Sequence, residues 1–133
     1  AGDYMNSQQL LDKAKEVMNN AYAPYSNFKV GAAILTESGD VYTGCNIENA
    51  SYGATICAER TAAVKAVSEG HRKFLKIAIV SMEGTYTYPC GMCRQFLSEF
   101  MAEDGMVIVE DSTEGIKEIA FKELLPLSFS LNV

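Results

Sequence analysis

Four residues in this sequence have the types and spacing for metal-assisted acid–base chemistry. Cys57 and Glu59 lie in Cys57-Ala58-Glu59, and Cys90 and Cys93 in Pro89-Cys90-Gly91-Met92-Cys93. Both runs open segments of helical character, and a thiol at a helix N-terminus is favoured as thiolate, the form that binds metal. Zinc is the natural occupant, a d¹⁰ ion that accepts sulfur at about 2.3 Å in a tetrahedral arrangement. Three protein ligands leave the fourth position for water, which marks a catalytic site rather than a closed structural one. Glu59 follows Cys57 by two residues, and in the first helical turn such positions diverge by about 200°. It need not ligate the same ion, and it is free to take a proton from that water and pass it to a departing group.

The pattern along the chain supplies elements to position these groups. Leu10, Leu11, Ala14, Val17, Met18 and Ala21 recur at spacings of three and four, predicting a helix over 7–22 with Ser7 or Asn6 as N-cap and Ala23-Pro24 as its end. FKVGAAILTE and DVYTGCNI read as two strands joined across Ser38-Gly39-Asp40. A second helix is expected from Cys57 to Glu69, stopped by Gly70. FLKIAIVSM, nearly continuous in apolar residues, predicts a central strand buried on both faces. A third helix is expected from Cys90 to Met101, behind Pro89. GMVIVE and GIKEIAF follow as strands four and five, and ELLPLSFSLNV as an apolar tail. The fold is then α/β, three helices on a five-stranded mixed sheet. Strands four and five are too closely linked for a parallel crossover, so as neighbours they are antiparallel.

At 133 residues the chain reads as one domain, 1–133. Its net charge of −6 and 11 scattered basic residues argue against a nucleic-acid partner, since phosphate binding draws on clustered Lys and Arg. No apolar run reaches the roughly 20 residues of a membrane span, and the N-terminus lacks the pattern of a signal peptide. A cytoplasmic protein acting on a small molecule is the expectation. Ala1 and Gly2 read equally as native residues or as a processing remnant.

Cys-Ala-Glu followed by Pro-Cys-x-x-Cys resembles the signature of the zinc-dependent nucleoside and nucleobase deaminases. Within that group the chain is similar to the small cytidine deaminases from about Tyr22 to Phe129. The words AYAPYSNFKVGAA, GCNIENASYG, CAERTA, PCGMCRQ and ELLPLSF, in that order, carry the likeness. The resemblance implies a three-layer α/β/α fold, one zinc per chain on Cys57, Cys90 and Cys93, and hydrolysis of cytidine and 2′-deoxycytidine to the uridines and ammonia in pyrimidine salvage. It assigns proton transfer to Glu59, and to Arg60 the offsetting of the charge of three thiolates. Asn46 and Glu48 would bind the ribose hydroxyls, Phe28 would stack on the base, and Ala58 would read the pyrimidine edge through its backbone. Ala50, Tyr52 and Phe129 would reach the site of a neighbouring subunit in a homotetramer. A first ligand Cys, where the polynucleotide deaminases have His, fits the small enzymes.

Blander readings stand beside these. Phe28 could be a core residue, Glu48 a solvated loop charge and Arg60 a surface residue. Cys45 reads as a small buried side chain; its rival role is the fourth ligand of a closed site. His71, the sole histidine, follows the Gly70 stop of the helix that Cys57 begins, about 20 Å away at 1.5 Å per residue, and reads as a surface cap. The alternative functions are a deaminase of another cytosine-containing small molecule and a non-catalytic zinc module.

Overall fold

Leu10, Leu11 and Ala14 form the buried stripe of α1 (Ser7–Met18) in the computed structural model, which describes residues 4–131. Asn6 is the N-cap: its Oδ1 accepts from the Gln9 amide at 2.9 Å, and Gln9 Oε1 accepts from the Asn6 amide at 3.0 Å. Two amides left open by the helix start are thus satisfied reciprocally. The helix stops at Met18 rather than at residue 22, because Tyr22 is drawn into extended pairing. Its N–H donates to Asn46 O at 3.0 Å, and Glu48 N–H donates to Tyr22 O at 2.8 Å.

The remaining elements are β1 (Val30–Thr36), β2 (Val41–Cys45), α2 (Ala58–Ser68), β3 (Phe74–Ser81), α3 (Gly91–Ser98), β4 (Met101–Asp111) and β5 (Gly115–Ala120). The sheet order is β2-β1-β3-β4-β5, with β3 central as its apolar sequence requires. β3 and β4 run parallel through the α3 crossover, and the other neighbours are antiparallel. Across β4 and β5, Val107 faces Ile119 and Val109 faces Lys117.

Alternation divides the core between the two faces of this sheet. Ala32, Ile34, Ile77, Ile79, Val107 and Val109 pack with Ala58, Ala62, Ala63 and Ala66 of α2 and Leu97 of α3. On the other face Ala33, Leu35, Ala78, Val80 and Ile108 pack with Leu10, Leu11 and Ala14 of α1. Two glycines set how closely helices approach. A Cβ at Gly31 would lie 2.0 Å from Ala14 O on α1, and one at Gly44 would lie 2.4 Å from Ala62 N on α2. Only a residue without a side chain permits either contact.

Two further boundaries differ from expectation. α3 ends at Ser98 instead of Met101, because Phe100 O accepts from Phe74 N–H at 2.8 Å and the chain turns there into an early, irregular start of β4. β1 begins at Val30 instead of Phe28, because the Asn46 side chain takes the place of a strand partner at 28–30. The apolar tail, expected to pack, is exposed in the single chain: Leu127 is 97% and Phe129 68% accessible. Ala1, Gly2 and Val133 lie outside the described residues.

Candidate active site

Cys57 and Cys90 are the N-caps of α2 and α3, both in extended conformation. That position usually holds Ser, Thr, Asp or Asn, whose side chain turns back onto the helix amides. Neither cysteine makes a capping bond, so both sulfurs remain available. Cys93 stands one turn into α3 and is fully buried. The three Sγ atoms lie within 4.8 Å of one another, Cys57 and Cys90 at 4.0 Å. Tetrahedral zinc with bonds of about 2.3 Å spaces its sulfurs about 3.8 Å apart, so the donor set and its spacing fit that ion.

The polar groups around the sulfurs point the same way. Arg60 Nη2 donates to Cys57 Sγ at 3.8 Å and to Thr55 O at 3.4 Å, while its Nε is buried with no hydrogen-bond partner among the described residues. A cation is thus kept beside the sulfurs, where it would stabilise them as thiolates. A hydrogen bond from the Cys93 thiol, together with Arg60, holds Cys57 down at about 5. The same contact pushes Cys93 well above the usual thiol range. A metal ion binds such thiols in their deprotonated form.

Glu59, on the first turn of α2, is only 5% exposed. Burial pushes its carboxyl up to about 7, and the negative charge of Cys57 adds to the shift. A carboxyl balanced near neutrality, beside three candidate ligands, can both accept and donate protons.

The segment between β2 and α2 brings further residues to this end of the sheet. Ile47 and Ile56 exchange N–H···O bonds of 2.9 Å, drawing the loop back so that it delivers Cys57. Asn46, almost fully buried, accepts from Val30 N–H at 2.9 Å through Oδ1 and donates to Phe28 O at 2.8 Å through Nδ2. It therefore fixes the backbone that carries the half-buried Phe28. Glu48 is not a free loop charge. Its Oε1 accepts from the Tyr25 and Ser26 amides, both at 3.0 Å, and its Oε2 from the Ser26 hydroxyl. These bonds, the hydroxyl first, hold its carboxyl below the ordinary range. Ser26 was without an assigned role in the sequence, although AYAPYSNF contains it; its link to Glu48 spans 22 residues and leaves no local signal.

Other expected site residues are not gathered at the cysteines. Ala50 is exposed, and Tyr52, 78% exposed, shares a surface cleft with Tyr25 and Glu48. Phe129 lies over α3, where its carbonyl accepts from Gln95 Nε2 at 3.0 Å. Cys45 is buried and outside the cluster. His71 packs on Tyr42, with Nε2 3.0 Å from the Tyr42 hydroxyl, and its neighbours are Ser38 and Asp40.

Comparison with known proteins agrees with this geometry. Residues 5–109 match the family model for the cytidine and deoxycytidylate deaminase zinc-binding region. The chain is 47% identical to a cytidine deaminase of Halalkalibacterium halodurans, over 95% of this chain and 96% of that protein. It is 44% identical to one of Sporosarcina psychrophila, over 95% and 93%. The crystal structure of a cytidine deaminase from Burkholderia pseudomallei superposes with a TM-score of 0.87 at 42% identity, covering 94% of this chain and all of the other. Zinc is accordingly the cofactor that the three-cysteine cluster fits, and the chain belongs to the cytidine and deoxycytidylate deaminase family.

Proposed function

We propose that this protein catalyses the hydrolytic deamination of cytidine, and of 2′-deoxycytidine, to the corresponding uridine and ammonia. The observation that carries the reading is the placement of buried Glu59 on the same helical turn as one of three clustered thiols. Cys57, Cys90 and Cys93 would hold one zinc ion, which when bound would make water a nucleophile at neutral pH. Glu59 accepts a proton as water adds to C4 of the pyrimidine and delivers it to N3. It then takes the second proton from the hydroxyl now on C4 and passes it to the exocyclic nitrogen, which leaves as ammonia as the C4–N bond breaks and the C4 carbonyl forms. Burial supports both steps, because a carboxyl near neutral pKa loses and regains a proton at little cost. Arg60 balances the negative charge of the sulfurs.

The Ala58 backbone reads the base edge, Phe28 stacks on the ring, and Asn46 and Glu48 receive the sugar hydroxyls. The Asn46 and Glu48 side chains already have their orientation fixed by protein contacts, and Asn46 also holds the Phe28 carbonyl, which supports a preformed pocket. The exposure of Ala50, Tyr52 and Phe129 supports their service in a neighbour's site within a homotetramer. The apolar cores on both sheet faces support a single three-layer α/β/α domain over 1–133. Among the described residues no helix is long and apolar enough to cross a membrane, and the charge of −6 disfavours nucleic acid. A small nucleoside in the cytoplasm is the setting these features support.

Chromatography of reactions with cytidine, 2′-deoxycytidine and free cytosine tests the proposal. Both nucleosides should give stoichiometric uridine products and ammonia, with free cytosine a poor substrate. No turnover of either nucleoside by the zinc-loaded protein would refute it.

A further inference from the structure

Two side chains of PCGMCRQ, Arg94 and Gln95, follow the last candidate ligand directly, and neither has a place in the chemistry above. Arg94 is half-buried on α3 and uses two nitrogens on two distant segments. Its Nε donates to Pro89 O at 2.7 Å, and its Nη1 to Leu124 O at 3.0 Å. Pro89 immediately precedes Cys90 and is buried, so the first bond fixes the peptide that orients a ligand. Leu124 ends the 3-10 turn Phe121–Glu123, so the second bond fixes the point where the tail departs. Beyond Leu124 the described tail makes one hydrogen bond, from Gln95 Nε2 to Phe129 O.

We propose that Arg94 is a positioning residue that couples zinc occupancy to the placement of the C-terminal tail. The proposal rests on Cys90 and Cys93 as zinc ligands. Zinc on those sulfurs would hold the Pro89 carbonyl at the start of α3, where Arg94 meets it. The guanidinium then has its plane set and presents Nη1 to Leu124 O in fixed geometry. Arginine is needed because its rigid fork can satisfy two separate acceptors, whereas lysine is a single point charge on a flexible stem. Coupling between two sites is reciprocal: a tail held by Arg94 slows zinc loss, and bound zinc steadies the tail. Gln95 holds the tail alone and has no bond to the ligand loop.

The test uses the assembled, zinc-loaded protein without substrate, so its outcome is separable from that of the deaminase reading. Zinc transfer to a chromogenic chelator and hydrogen exchange of residues 125–131 are measured for wild type, Arg94→Lys and Gln95→Ala. Partners that orient metal ligands are worth roughly 10–100-fold in affinity, so Arg94→Lys should release zinc at least about tenfold faster. Its tail should exchange at the same rate with and without zinc. Gln95→Ala should loosen the tail while zinc release stays at the wild-type rate. In wild type, tail exchange should speed up when zinc is stripped, a result that needs no variant to fold. Zinc release from Arg94→Lys within twofold of wild type, or a wild-type tail indifferent to zinc, would overturn the coupling.

Discussion

Glu59 is under opposing influences that its position sets. The N-terminus of α2 favours a carboxylate, yet burial and the neighbouring Cys57 thiolate push the carboxyl up to about 7, and burial is the larger effect. A group held there exchanges protons in both directions at neutral pH. Glu59→Gln keeps the shape and removes the proton carrier. It should retain zinc and cut turnover by about 100- to 10,000-fold, or more if both proton transfers depend on it. Steady-state rates beside metal analysis check this, and turnover within tenfold of wild type would place the proton carrier elsewhere. Cys45 is the control at the same scale: it is buried, outside the cluster, and desolvation raises its pKa. Cys45→Ser should keep one zinc per chain and full activity, whereas loss of the metal would indicate a closed four-cysteine site.

At the scale of elements, two helix starts bring three sulfurs together, and the loops before β1 and after β2 support the remaining groups. Glu48 ties these loops by accepting from Tyr25 and Ser26. Glu48→Ala should therefore raise KM for cytidine sharply while zinc stays bound; unchanged KM and turnover would remove it from the substrate site. The tie also has a pH window. A carboxyl held below its ordinary value stabilises the fold fully above that value and loses the contribution as pH falls through the lowered one. Protection of the Tyr25 and Ser26 amides, relative to their intrinsic exchange at each pH, should hold from neutrality down to the ordinary carboxylate range and fall below it.

These elements also mark what the sequence could and could not reveal. The clustering of Cys57, Cys90 and Cys93 with Glu59 beside them was legible because the spacing within each helix start is local. The central place of β3 was legible because a strand buried on both faces must be apolar throughout. The end of α3 was not, since nothing near Glu99 signals a stop; a strand contact from Phe74 imposes it. Asn46 was legible as a polar residue beside Cys45, but its bond to Phe28 depends on pairing 18 residues away.

For the whole molecule, the tail is the telling feature. Leu127, Phe129 and Leu131 are exposed, and so are Tyr52 and Tyr25, which share a cleft with Glu48. Exposed apolar residues in such number call for a covering surface, and closed symmetric assembly would supply one. If sites are shared, Glu59→Gln and Phe129→Ala subunits should complement one another. Mixing the two inactive variants under subunit exchange should restore activity in those sites that pair an intact Glu59 with a neighbour's intact Phe129. A fully active monomer by light scattering would contradict sharing.

The central claim is that three thiolates and one buried carboxyl form a zinc-dependent site for removing the amino group of cytidine. The fall in ultraviolet absorbance as cytidine becomes uridine measures it most directly, on zinc-loaded, chelator-stripped and zinc-restored protein. The account predicts turnover in the first, its loss in the second, and recovery in the third on adding one equivalent of zinc per chain. Undiminished turnover by the stripped protein, or none with zinc stoichiometrically bound, would contradict it.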